Sequence, residues 1–144
     1  MKKIHNLYAI IVAILVFFLD RLTKYFAENI NGSIPIINNI FNFTLVYNTG
    51  AGFGILKGAR IFFIIFSIVV IAGIIYKWKK IPENVNITIP LGLIIGGLLG
   101  NLYDRLFLGY VIDFLDFRIW PVFNIADSCI TIAAIWLIFY LWKK

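Results

Sequence analysis

Ile87-Thr88-Ile89-Pro90-Leu91-Gly92-Leu93-Ile94-Ile95-Gly96-Gly97-Leu98-Leu99-Gly100-Asn101-Leu102-Tyr103-Asp104-Arg105-Leu106-Phe107-Leu108 decides how this chain is read. The run is apolar until its end, where an amide, a carboxylate and a guanidinium fall within five residues. Its length matches the roughly 20 residues a helix needs to cross a bilayer's hydrocarbon core. Gly92, Gly96 and Gly100 recur every four residues, a ladder that lets a second helix backbone approach. Working outward, residues 7–26, 61–76 and 123–142 form three further apolar runs of near-spanning length. The expected fold is therefore an all-α membrane protein with four transmembrane helices, and residues 1–144 are expected to form one domain.

Composition agrees. Sixty-two per cent of the 144 residues are hydrophobic and 14% are charged, against about a quarter charged in a soluble domain. Too little polar surface remains to cover a water-soluble globule. The net charge of +6 sits in short lysine clusters that flank the apolar runs. No basic patch is interleaved with base-stacking aromatics, so nucleic acid is not an expected partner. One cysteine, Cys129, allows no intrachain disulfide, and one histidine, His5, allows no histidine-rich metal centre. A Ser-His-Asp or Cys-His site would have to rely on His5 beside the N-terminal lysines. No cofactor or metal is expected.

Lys2 and Lys3 before an apolar run resemble the start of a signal peptide. No small-residue cleavage site follows, and the run continues into Asp20, Arg21 and Lys24, so a retained first span is expected. Lys2, Lys3, Lys77, Lys79, Lys80, Lys143 and Lys144 all fall on one side of a four-span chain. The other side holds only Lys57, Arg60 and Arg118. The positive-inside bias then puts both termini in the cytoplasm. Trp78 and Trp142 suit the inner interface and Trp120 the outer one. Of the two outer segments, residues 27–60 include Phe41-Asn42-Phe43-Thr44-Leu45-Val46-Tyr47-Asn48. Its alternation predicts a strand with one apolar face. Asn48-Thr49-Gly50-Ala51-Gly52-Phe53-Gly54 then reads as a flexible turn. Residues 109–122 read as a short outer loop.

The ionisable and amide side chains inside these spans share one depth. Asp20 and Lys24 lie in the outer third of span one. Asn101, Asp104 and Arg105 end span three, Asn124 and Asp127 begin span four, and Asp113 lies in the loop between them. Such groups are costly in a bilayer and mark function by default. Asn101, Asp104 and Arg105 share a helix face, as do Asn124 and Asp127, and Asp20 can pair with Lys24 at i, i+4. Packing through the glycine ladder is expected to carry Asn101 and Asp104 toward a neighbouring helix, with span four the favoured partner.

Two facing carboxylates share a proton, because both cannot ionise at close range. The ionised one can take a proton from water, while the protonated one donates to a scissile carbonyl. That hydrolyses a peptide without metal or covalent intermediate. The candidates are Asp20, Asp104, Asp113, Asp116 and Asp127. Asp127 is the least easily solvated, and the choice of partner between Asp104 and Asp113 stays open on these grounds.

At these residues the chain resembles the lipoprotein signal peptidases, the type II signal peptidases. The match runs in order through Asp20 with Thr23-Lys24 and then Asn48-Thr49-Gly50-Ala51-Gly52-Phe53-Gly54. It continues through Gly100-Asn101-Leu102-Tyr103-Asp104-Arg105, Val111-Ile112-Asp113-Phe114 and Phe123-Asn124-Ile125-Ala126-Asp127-Ser128. Gly52 departs from the alanine more usual in the family. The resemblance implies an aspartyl endopeptidase of the bacterial cytoplasmic membrane with catalytic Asp113 and Asp127. It implies supporting or substrate-contacting roles for Asp20, Lys24, Asn48, Gly50, Asn101, Asp104, Arg105 and Asn124. It also implies a small extracytoplasmic β-sheet at the strand of residues 41–48. The implied substrate is a diacylglyceryl-modified prolipoprotein, cut just before its lipidated cysteine near the extracytoplasmic face. Membrane lipid is the other expected partner. The sequence leaves the oligomeric state open, with a monomer expected.

Plainer readings stand beside these. Asp20 with Lys24, and Asp104 with Arg105, fit structural ion pairs; Asn101 and Asn124 fit interhelical hydrogen bonding. Asp116 and Arg118 fit a solvated loop pair, and Cys129 fits a buried inert thiol. A small transporter or proton channel would also carry intramembrane carboxylates, but its path needs polar groups through the full depth. A scaffold would not need them gathered at one level.

Overall fold

The structure, a computed structural model, describes residues 2–50 and 58–143. Four helices in it are long and apolar enough to cross a membrane: α1 (Lys2–Ala27), α2 (Arg60–Lys77), α3 (Val85–Phe107) and α4 (Ile125–Trp142). Strands β1 (Ser33–Ile37), β2 (Phe41–Asn48) and β3 (Val111–Asp116) pair antiparallel in the order β1-β2-β3. β2 occupies the alternating stretch that predicts a strand. The segment read as a short outer loop instead contains β3. All six β3 residues are at least partly buried and five are fully so, so its sequence shows no half-exposed alternation. β1 has five residues, all exposed, with Pro35 among them; proline belongs at such an edge.

Two helix boundaries differ from the apolar runs. A 3₁₀ turn at Trp78–Lys80 extends α2, the shortest run. α4 starts at Ile125 rather than at residue 123, because Asn124 stands outside the helix as its N-cap. The Asn124 side chain accepts from the backbone N–H of Asp127, and the Asp127 carboxylate accepts from the N–H of Asn124. This reciprocal capping box satisfies two amides at the helix start.

The glycine ladder faces α1, not α4. A Cβ at Gly92 would stand 2.6 Å from the carbonyl oxygen of Ala9, and one at Gly96 2.6 Å from that of Ala13. One at Gly100 would collide with the Asp20 carboxylate. The next rung of the same i+4 row is Asp104, so Asp104 also turns toward α1. A second row faces α4: a Cβ at Gly97 would stand 2.7 Å from the carbonyl of Ala126, and its next rung is Asn101. Spacing alone defines a face of α3 but not its partner; the two rows together place α3 between α1 and α4. α2 is attached differently. It packs on α3 alone among the helices in quantity, and Ser67 is its only fully buried residue.

The sheet closes one end of the bundle. Ala27, Ile112 and Phe114 form its buried core, with Ile30, Phe43, Leu45 and Ile125 packed around them. After β3 the chain folds back on itself. Phe123 accepts from the amides of Phe114 and Leu115 and donates to Leu115, which delivers Asn124 and α4 to the strand. At the opposite end Trp78 donates to Asn6 at 3.0 Å and Asn84 to Tyr140 at 2.8 Å.

Candidate active site

Three elements converge where the sheet meets the helix ends. Asp113 projects from β3, which pairs with β2 in the register Val46↔Asp113 and Asn48↔Val111. Asn48 is thus the diagonal, same-face neighbour of Asp113, and its amide donates to the Asp113 carboxylate at 2.9 Å. The Asn48 side-chain oxygen accepts from the Gly50 amide at 2.9 Å, which fixes the amide's orientation. The Thr49 carbonyl accepts from Gly58 at 3.3 Å, so the two ends of the intervening segment meet. Ala51, Gly52, Phe53 and Gly54, read as part of a flexible turn, lie outside the described residues.

Asn124 links the two aspartates. Its Nδ2 donates to Asp113 at 2.7 Å and also to Asn101 at 3.0 Å, while its Oδ1 accepts from the Asp127 amide at 2.9 Å. Asn101 in turn donates to the Asp127 carboxylate at 2.7 Å. Both aspartates line one cavity of about 330 Å³ together with Asn48, Gly50, Asn101 and Arg105. Phe63, Phe66 and Ser67 of α2 supply one wall, and Trp120, Pro121 and Val122 another. Asp113 is 1% exposed. Burial, and then the charge of Asp127 beside it, push its carboxyl up to about 7. Near neutral pH Asp113 is therefore about half protonated, where a carboxyl at its ordinary value would be almost wholly ionised.

Beneath this cavity lies a second cluster. Lys24 is fully buried, and its ammonium meets Asp20 at 2.8 Å, Asp104 at 2.7 Å and Asn101 at 2.9 Å. The ammonium thus faces two carboxylates and one amide oxygen. Asp20 also accepts from the Ala126 amide at 3.0 Å, tying α1 to the start of α4. Asp104 accepts from the Ile112 amide at 3.2 Å, which holds β3 over α3, and from Arg21. Two carboxylates thus balance two cations, and Asn101 joins this cluster to the cavity above it.

The structure brings every candidate residue into these two connected groups except Asp116. It ends β3, accepting from Thr44 at 3.0 Å and meeting Arg118 at 3.4 Å; the pairing matches the reading, but Asp116 is a buried strand residue rather than part of a solvated loop. Asp104 and Arg105 do not pair with each other. Consecutive helical residues point apart, so Asp104 turns to Arg21 and Lys24. Arg105 turns into the cavity, where its charge acts on Asp127 and Asp113. Arg21 was not singled out as a site residue; its i, i+3 relation to Lys24 is the sequence signal for it. Cys129 is half-buried and does not line this cavity.

Comparison with known proteins gives the arrangement its context. Residues 12–143 match the family described as signal peptidase (SPase) II, peptidase family A8. A lipoprotein signal peptidase of Halothermothrix orenii is 48% identical over 137 residues, covering 93% of this chain and 94% of the relative. One from Caldanaerobacter subterraneus subsp. tengcongensis is 47% identical, covering 88% and 90%. A bacterial membrane enzyme solved in meso at 2.3 Å superposes with a TM-score of 0.87 at 36% identity, covering 94% of this chain and 87% of the other. The chain is a member of the signal peptidase II family of membrane peptidases.

Proposed function

We propose that this protein is an aspartyl endopeptidase that removes the signal peptide from diacylglyceryl-modified prolipoproteins, cutting just before the lipidated cysteine. The observation that carries the reading is Asn124: its side chain donates to the Asp113 carboxylate and accepts from the Asp127 amide, and its backbone N–H reaches the Asp127 carboxylate, so that both aspartates line one cavity. Asp127 accepts from Asn101 and lies in the first turn of α4, where amide dipoles favour negative charge. It is assigned as the base that takes a proton from water. Asp113 carries the shared proton and donates to the scissile carbonyl. Asn48 and Asn124 orient Asp113, Asn101 orients Asp127, and Arg105 offers positive charge where an oxyanion develops. Asp20, Lys24 and Asp104 hold the backbone elements that carry these groups, and Gly50 shapes the turn at the cavity's rim. No step calls for a metal. A transporter is disfavoured, because polar side chains gather at the sheet end while the cavity of about 480 Å³ between Ala9, Phe17, Ile75 and Ile95 is almost wholly apolar.

The lysine clusters support an orientation with both termini cytoplasmic and the sheet at the extracytoplasmic face. Reporter tags at the termini and near Lys79 are expected to read as cytoplasmic, and one near Ser33 as outside; a terminus found outside would reverse the site's location.

Substrate lipid remains in the bilayer in this arrangement while the peptide enters the polar cavity. Anchoring is worth about 0.8 kcal/mol per buried CH₂. Purified protein in detergent is therefore expected to cleave a diacylglyceryl-modified prolipoprotein, with a chelator present, far faster than the unlipidated precursor. Equal rates on both would remove lipid recognition from the account, and inhibition by the chelator would remove the metal-free mechanism.

The pH dependence has a definite sign. Asp113 must be protonated, and its raised pKa keeps it so until about 7. kcat/KM is expected to fall as pH rises through about 7, approaching tenfold per unit above it. A profile flat from 6 to 9 would contradict the assignment of the proton to Asp113.

A further inference from the structure

α2 supplies one wall of the cavity yet is anchored by little. Its fastening at the sheet end is Arg60, its first residue. The Arg60 Nε donates to the carbonyl oxygen of Arg105 at 2.6 Å, and one terminal nitrogen donates to that of Leu106 at 3.1 Å. These carbonyls belong to the last turn of α3, where intrahelical donors have run out. The amides of Leu108 and Gly109 both go to the Asp104 carbonyl, at 2.8 Å and 3.0 Å. A cation at the negative end of a helix also gains from its dipole. Gly109 makes room for this contact. Its φ is +91°, and a Cβ there would stand 3.3 Å from the guanidinium.

The contact is reciprocal. Arg105, whose carbonyl Arg60 holds, places its own guanidinium 4.8 Å from the ring centroid of Phe63, one turn along α2 from Arg60. Phe63 and Arg105 both line the cavity that holds Asp113 and Asp127. The hydrogen bonds that fix those aspartates come from Asn48, Asn101 and Asn124, none of which is on α2.

We infer that Arg60 is a positioning residue for substrate binding: by clasping the C-terminal carbonyls of α3 it docks the α2 wall and sets Phe63 against Arg105. The inference rests on the proposed peptidase function for its kinetic readout only. Arg60 is exposed, and losing it leaves the carboxylate pair and the buried ion cluster untouched.

The test compares Arg60→Ala and Arg60→Lys with the unaltered protein on a diacylglyceryl-modified prolipoprotein in detergent. Arg60→Ala is expected to raise KM about tenfold or more with a clearly smaller fall in kcat, because the charged hydrogen bonds that hold the binding wall are lost while the carboxylate pair keeps its own hydrogen bonds. Lysine keeps the charge but not the two-pronged fork, so Arg60→Lys should fall between. A second readout needs no turnover. Spin labels on cysteines at exposed Ile65 and Leu22, in a Cys129→Ala background, should give a narrow distance distribution that broadens in Arg60→Ala. An unchanged distribution, or a loss confined to kcat, would overturn the inference. If the unaltered protein fails to cleave, the proposed function falls, while the distance measurement still decides the clasp.

Discussion

Asp113→Asn and Asp127→Asn should each abolish turnover while the protein stays folded and inserted. Asparagine has nearly the shape of aspartate but can neither accept water's proton nor cycle a shared one. Positioned acid–base groups contribute typically about 10²–10⁴-fold each, and groups that act as a unit are not additive. The double variant should therefore be little worse than either single one. Folding should survive, because an asparagine at 113 still has an oxygen to accept from Asn48 or Asn124, which donate at 2.9 Å and 2.7 Å. Burial of a carboxyl is itself costly, so an unchanged or modestly raised thermal midpoint is the expected companion of lost activity. Cleavage rates and thermal unfolding of the same preparations check both halves. Residual activity in either single variant near that of the unaltered protein would break the assignment.

Lys24→Met should have the largest effect on stability. Methionine fills a similar volume, but the exchange leaves Asp20 and Asp104 buried without the ammonium that both face at under 3 Å. Breaking one partner out of a buried ion cluster costs on the order of 3–5 kcal/mol. Arg21 still reaches Asp104, whereas Asp20 keeps only the Ala126 amide. The loss should therefore appear first as loosening between α1 and the start of α4. Denaturation in detergent measures the total. A variant as stable as the unaltered protein would mean that the cluster's charges are solvated rather than mutually held. Activity should drop as well, since Asn101 loses the lysine contact at 2.9 Å that fixes the amide it presents to Asp127.

The sequence made some features legible and hid others for identifiable reasons. The spans could be read because lipid leaves an apolar signature along each whole helix. β2 could be read because one of its faces is apolar. β3 could not, because Val111, Ile112, Asp113 and Phe114 are all buried, and a strand covered on both sides has no period of two. The shared depth of Asp20, Asn101, Asp104, Asn124 and Asp127 located the polar cluster, and the structure places all five among its hydrogen bonds. Their pairing was less accessible. The i+4 spacing of Gly92, Gly96 and Gly100 defines a stripe that fits any helix with small residues; Ala9 and Ala13 on α1 settle the partner. Asn101 and Asp104 share a broad face but diverge enough to meet different helices. Asn124 looked like a helical residue beside Asp127, whereas its capping position frees its side chain to reach β3. Arg60 counts in the sequence only as one of three basic residues on the outer side, because its partners are backbone carbonyls and carbonyls leave no mark in a sequence.

The most direct test of the carboxylate pair contrasts Asp113 with Asp104, the two partners for Asp127 that spacing alone leaves open. Single-turnover cleavage of a diacylglyceryl-modified prolipoprotein is measured for Asp113→Asn and Asp104→Asn at a temperature where both are folded. Asp113→Asn should show no cleavage. Asp104→Asn should be less stable, through weakened contacts to Lys24 and Arg21, yet still cleave. An inactive Asp104→Asn beside an active Asp113→Asn would contradict the account and move the pair to Asp104 and Asp127.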